Sequence, residues 1–410
     1  MDRLLFISAI FVWFVFLPLF ALAAGNRVIF VTSVTGTGNL GNWANAGGQT
    51  GIAAGDVICQ ARATTAGLAN PGNFVAWLSD TASDAYCRAH NLPGTKAANC
   101  GQPALPAAAG PWVRTDGVPF SPGIGALTTT GAVYTPVRYN EFGSAIPPQS
   151  LEFHFTATNP DGTLRTSGLT TCADWTSAAA ASFAAIGAAS HTTSGWSSAG
   201  GIGCSVPVHL LCMETGAGPP LPPFTWNDRL AFITSASGPG DLSTWPTADP
   251  GTSGLTAGDS ICRNLAADAG YPQAESFKAW LSDATTDAFS RFNNDQPWMR
   301  PDGVRVAAGI GELTSGLLFT SISVSDQGAY MGNKGVWTGT QDDGIGSANH
   351  CTGWTDGSAG ASGDRGSSDR TADGWSLNAG AGSAACNSGW LHLYCLSDAP
   401  PDVIFADSFE

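Results

Sequence analysis

Apolar and polar positions alternate in short runs, and the same succession of runs occurs twice along the chain. Val28–Ser33 and Leu230–Ser235 have the alternation of an opening strand. Ala54–Gly67 and Ala257–Gly270 follow, with Ile58 and Arg62, or Ile261 and Leu265, at helical spacing and a glycine to stop each helix. Phe74–Leu78 and Phe277–Leu281 read as a second short helix or strand. Short strands among turns fill the rest, and apolar strands at Val208–Met213 and Leu391–Leu396 close each pattern. The fold class expected is therefore α+β.

The residues themselves repeat. Phe30-Val31-Thr32-Ser33 matches Phe232-Ile233-Thr234-Ser235, and Ala54-Gly55-Asp56 through Cys59 matches Ala257-Gly258-Asp259 through Cys262. AWLSD stands at Ala76–Asp80 and Ala279–Asp283, and GIGxLT at Gly123–Thr128 and Gly309–Thr314. Cys172-x-x-Trp175-Thr176 pairs with Cys351-x-x-Trp354-Thr355, Gly195-Trp196-Ser197 with Gly374-Trp375-Ser376, and His209-x-x-Cys212 with His392-x-x-Cys395. Two copies are expected, 27–214 and 229–397, joined by a proline-rich linker, 215–228, and followed by a tail, 398–410. The first copy is longer. Its extra segment, about 84–105, is expected to hold Cys87 and Cys100, paired with each other.

Upstream, Arg3, the apolar run Leu4–Leu22 and Ala21-Leu22-Ala23 form a signal peptide over 1–23, with no further membrane span expected. Ten cysteines then fit an oxidising compartment, whether extracellular, cell-surface or periplasmic. A net charge of −15 with three lysines excludes nucleic acid as a main partner, since neutralising phosphates needs a basic stripe.

Setting Cys87 and Cys100 aside, each copy has four cysteines, which admit three pairings. Nested bridges are physically attractive. Cys262–Cys395 would tie the helix to the last strand, and Cys351–Cys386 would close a loop poor in core residues. Bridges of such spans stabilise by about 3–5 kcal/mol each in the chain-entropy model. In the first copy the same nesting is Cys59–Cys212 with Cys172–Cys204.

The order of helix cysteine, FxAWLSD, CxxWT and a final C…HLxC resembles endostatin, a collagen fragment with a C-type-lectin-like fold. It is still more similar to a bacterial secreted domain family related to endostatin. The resemblance covers nearly all of both copies and implies a tandem of two C-type-lectin-like domains with nested disulfides. Endostatin's basic heparin-binding face does not carry over to this acidic chain, nor does its amino-terminal histidine zinc site, because no histidine precedes His90.

Candidate chemistry is sparse. Gly36-x-Gly38-x-x-Gly41 follows a strand but opens no helix, so it reads as a turn rather than a dinucleotide site. Trp226-Asn227-Asp228 copies a triplet of calcium-dependent lectins but falls in the linker. Among acids of the second copy, Asp342, Asp343 and Asp356 are the calcium candidates, against a turn reading for Asp343-Gly344 and its match Asp161-Gly162. No other cofactor is implied. Trp43, Trp245, Trp337 and Trp390 are the candidates for an exposed sugar-stacking surface, whereas the remaining tryptophans recur in matched pairs suited to a core. No HExxH or GxSxG occurs, and no catalytic residue is assigned. The function expected is a non-enzymatic binding protein whose loops meet a glycan or a cell-surface protein. A structural or adhesive envelope component is the alternative, and a hydrolase using dispersed loop carboxylates is the weaker one.

Overall fold

The computed structural model describes residues 25–148, 152–169, 171–224, 228–292 and 295–399. The expected signal peptide over 1–23, Trp226, Asn227 and the tail from residue 400 onward lie outside them.

All strands of one eight-stranded sheet come from the first copy. They are β1 (Arg27–Val31), β2 (Phe74–Ala76), β3 (Trp112–Arg114), β4 (Pro119–Ser121), β5 (Phe153–Phe155), β6 (Phe183–Ala188), β7 (Gly200–Gly203) and β8 (His209–Glu214). The sheet runs β4-β3-β1-β8-β5-β6-β7, with β2 also on β8. First and last strands are antiparallel neighbours, Phe30 opposite Cys212. The chain therefore enters and leaves each copy at one place.

The second copy repeats this frame with β9 (Arg229–Ile233), β10 (Phe277–Ala279), β11 (Trp298–Met299), β12 (Arg305–Ala307), β13 (Gly335–Trp337), β14 (Ser362–Gly363), β15 (Arg365–Ser367), β16 (Ala384–Ala385) and β17 (Tyr394–Ser397). Five of these make one sheet, β10-β17-β9-β11-β12, while β13 pairs with β15 and β14 with β16. Phe232 lies opposite Cys395, as Phe30 lies opposite Cys212.

Each sheet carries one long helix, Gly51–Thr65 or Gly254–Asp268, and left-handed glycines follow them at Gly67 and Gly270. The first helix buries Ala54, Ile58, Cys59 and Ala63. A Cβ on Gly55 would come within 3.0 Å of Leu78 and 3.2 Å of Ala76, so glycine sets how closely the helix meets β2. Disulfides Cys59–Cys212 and Cys262–Cys395 fasten each helix to the last strand, and Cys172–Cys204 and Cys351–Cys386 close the loops within them.

Cys87 and Cys100 also pair, but only Cys100 belongs to the extra segment. Arg88 bridges to Asp56 as Arg291 bridges to Asp259, so the shared register runs past AWLSD to this arginine. Cys87 therefore stands where the second copy has Ser290, and the expected insertion begins later than residue 84.

Matched tryptophans repeat their bonds. Trp77 and Trp280 donate to the hydroxyls of Ser197 and Ser376, and Trp175 and Trp354 to the carbonyls of Ser79 and Ser282. Trp112 and Trp298 donate to the carbonyls of Glu214 and Ser397. Each repeated bond satisfies an indole N–H that burial would otherwise leave unpaired.

The two copies pack through matched segments. His191 and Arg370 form an antiparallel bridge, and Thr320 Oγ1 donates to the carbonyl of Tyr134, its counterpart, at 2.6 Å. Arg300 Nη2 donates to Val133 O at 3.3 Å, while Arg114 lies over the ring of Phe319, the residue matching Val133. Such self-complementary contact is what a twofold arrangement produces.

Candidate functional site

The turns Asp161-Gly162 and Asp343-Gly344 both place their glycine at positive φ, 86° and 85°, as a tight hairpin requires. Asp161 and Asp343 each accept the amide two residues on, from Thr163 and Ile345, at 3.0 Å. The neighbouring position differs. Pro160 in the first copy is Asp342 in the second, where its carboxylate accepts the amides of Gly374, Ser376 and Leu377 at 3.0–3.1 Å. Burial raises the pKa of Asp342, and those three amides oppose the rise.

This anchoring shapes an open cleft of about 440 Å³, lined by Gln341, Asp342, Asp343, Arg370, Asp373 and Asn378 among others. Its counterpart in the first copy, about 560 Å³, has Asn159, Pro160, Asp161 and Ser194 at matched places and borrows Tyr330 from the second copy. Of those four matched places, three carry acids in the second copy and one in the first.

A hollow of about 320 Å³ shares Arg370 and Asp373 with the acidic cleft and reaches across the junction to Glu152, Phe153 and His191. Glu152 is 6 % exposed, and its Oε2 has no hydrogen-bond partner. Burial raises its pKa, against a hydrogen bond from Ser190 and the charge of His191. His191 Nδ1 lies 3.4 Å from Asp369 Oδ2, and Arg370 Nη1 donates to the Asp373 carbonyl at 3.1 Å. Acidic, basic and imidazole groups of both copies thus meet in one hollow.

Three of the four tryptophans expected at the surface are buried. Trp43 and Trp245 donate to the carbonyls of Thr37 and Pro239 and lie against Gly36 and Gly238, where a Cβ would sit 2.3–2.4 Å from the indole. Trp337 is fully buried because it takes the core place that Phe155 has in the first copy; the two rings lie 5.9 Å from Trp354 and 5.5 Å from Trp175. Only Trp390 is exposed, at 51 %, with Arg365 4.9 Å above its ring. That arginine also donates to Ala381 O and Gly382 O, the end of the loop whose Asn378, Ala379 and Gly380 wall the cleft.

The structure divides the three calcium candidates. Asp342 and Asp343 share the cleft, but Asp356 caps a separate turn by accepting the Ser358 amide at 2.7 Å. The described residues contain no group of three His, Cys, Asp or Glu side chains suited to a metal ion. The glycines of the GxG motif serve packing, since a Cβ on Gly38 would sit 2.4 Å from Cys172 Sγ. Asp80 and Asp283 accept amides of their own turns, and His209 and His392 bond the carbonyls of Thr32 and Thr234.

Glu152, His191 and Arg370 were not singled out by the sequence, whereas Asp373 belongs to the run of acids read there as a solvated loop or a calcium site. His191 and Arg370 stand at the same place in the two copies, so comparing matched positions for differences in charge would have found them. Nothing local marks Glu152.

No described helix is long and apolar enough to cross a membrane. No protein-family model and no curated protein matches the chain.

Proposed function

We propose that this chain is an exported, non-enzymatic glycan-binding protein with two C-type-lectin-like copies, and that the cleft of the second copy is its binding surface. The observation that carries the reading is the lining of that cleft. Carboxylates of Asp343 and Asp373 accept sugar hydroxyls, while Gln341 and Arg370 supply donors, the mixture of fixed polar groups that orients a polyol. Trp390 supports it, as an exposed ring held by Arg365 next to the loop that walls the cleft. Stacking on such a ring adds affinity through an apolar sugar face.

The five disulfides fit a life in an oxidising compartment. Calcium is not part of this reading.

A glycan array probed with the mature protein, once with calcium and once with a chelator, tests it. Binding to a defined set of glycans under both conditions is expected. Blank arrays under both conditions would overturn the reading and favour protein–protein adhesion.

A further inference from the structure

We propose that the hollow between the copies receives an ammonium group, as carried by an amino sugar, between Glu152 of the first copy and Asp373 of the second. The proposal rests on the glycan-binding reading and narrows it.

The first observation is the unpaired acceptor. Glu152 is more than nine-tenths buried, lines the hollow and leaves Oε2 without a donor. A carboxylate oxygen cut off from water without a partner is costly, and a ligand that donates to it recovers that cost on binding. The second observation is the balance of charge. Glu152 and Asp373 line the hollow and Asp342 and Asp343 the adjoining cleft; against these four acids stand Arg370, common to both, and His191, which already faces Asp369 at 3.4 Å. Arg370 Nη1 is engaged by the Asp373 carbonyl. An anionic sugar would meet this excess of carboxylates unfavourably, and a hydroxyl would satisfy Oε2 without answering the charge. An ammonium does both, through three donors and a full positive charge.

The position of the hollow adds selectivity. Its walls come from both copies, with Phe153 and Ala199 on one side and Ala372 on the other, so the polar groups are held in a partly apolar frame. There a charge-assisted bond is screened less than on open surface. On the other side of the pseudo-twofold axis Lys334 and Ser194 stand where Glu152 and Asp373 stand here, which confines the site to one per chain.

The test is calorimetric titration of the full-length mature protein at physiological salt with glucosamine oligomers and with N-acetylglucosamine oligomers of equal length. Acetylation removes the charge and keeps the sugar. The wild-type chain is expected to favour the glucosamine oligomer by about tenfold or more. Glu152→Gln and Asp373→Asn should each remove most of that preference while melting temperature and circular dichroism stay near wild type. Glu275→Gln, far more exposed, should leave the preference in place and so controls for attraction to the chain's overall negative charge.

Equal affinity for both oligomers, with positive glycan arrays, overturns the amine site and leaves glycan binding standing. A preference for the amine that survives both Glu152→Gln and Asp373→Asn overturns the assignment to this hollow. No binding of either oligomer together with blank arrays removes both readings.

Discussion

Thr192 and Thr371 hold the same place in the two copies, and each donates its backbone N–H across the junction to the other copy. Thr192 reaches the Asp369 carbonyl at 2.7 Å, and Thr371 the Ser190 carbonyl at 3.3 Å, the residues Ser190 and Asp369 being counterparts in turn. Thr371 Oγ1 adds a second bond to Ser190 at 2.7 Å, and Thr192 Oγ1 meets the hydroxyl of Ser321. The association is that of a homodimer interface carried within one chain. A proline-rich linker alone would leave the two copies independent; these buried bonds make them one body.

Cutting the linker should therefore not separate the copies. With a protease site introduced between Gly218 and Pro220, the cleaved halves are expected to co-elute on size exclusion at about 10 µM, as an interface of micromolar or tighter affinity requires. Elution as two separate halves would show that the junction contributes little.

The CxxW segments turn in the left-handed sense. Cys172, Ala173, Asp174 and Trp175 all have φ between 50° and 66°, as do Cys351 through Trp354 between 47° and 70°. Left-handed backbone costs a residue with a Cβ about 1–2 kcal/mol. Asp174 is matched by Gly353, which escapes that cost. Ala173 is exposed and gives up no packing when its Cβ is removed. Ala173→Gly should raise stability by about 1 kcal/mol in a denaturant titration. A loss of stability would contradict the left-handed turn.

His154 is fully buried on β5, with Nε2 2.8 Å from the Trp196 carbonyl, and burial lowers its pKa from 6.5 to about 3. Above pH 6.5 the ring is neutral in folded and unfolded chains alike. As pH falls from 6.5 towards 3, the unfolded chain takes up a proton that the folded chain refuses, and stability falls by up to about 1.4 kcal/mol per pH unit. The second copy has Val336 at this place. His154→Val should make stability between pH 6.5 and 4.5 less dependent on pH by up to one proton, measured as Tm against pH. An unchanged slope would place the titration elsewhere.

The disulfides differ in span, 13 residues for Cys87–Cys100 against 153 for Cys59–Cys212. Replacing both cysteines of the first pair with serine should cost about 3 kcal/mol, and of the second about 5 kcal/mol, if the bridge acts mainly on the unfolded chain. Equal losses would point to local packing at the half-cystines instead.

Internal repetition made much of the architecture legible. Matched apolar runs located the strands, and the glycine-stopped helix was visible in Ile58, Ile261 and Leu265. Trp337 shows where this reasoning ran out. It had no tryptophan counterpart, so it read as a surface residue, yet it fills the core place of Phe155; aromatic positions were conserved between copies where the residue type was not. Trp43 and Trp245 read as loop residues because their segments are loops, and a loop next to Gly36 or Gly238 leaves room for a ring to sink against the backbone. Acids close in sequence suggested calcium, but Asp342 turns inward to three amides while Asp356 caps another turn. The junction hollow was illegible for a different reason. Glu152 and Asp373 are 221 positions apart in number and meet only because the copies dock.

The most direct test of the account is the number of binding sites per chain for a glycan that scores on the array. Calorimetry should give one site for the wild-type chain, and the paired substitution Asp343→Asn with Asp373→Asn in the second copy should weaken it at least about tenfold, as loss of charge-assisted bonds implies. Two equivalent sites, or one site indifferent to both substitutions, would contradict a binding surface confined to the acidic cleft of the second copy.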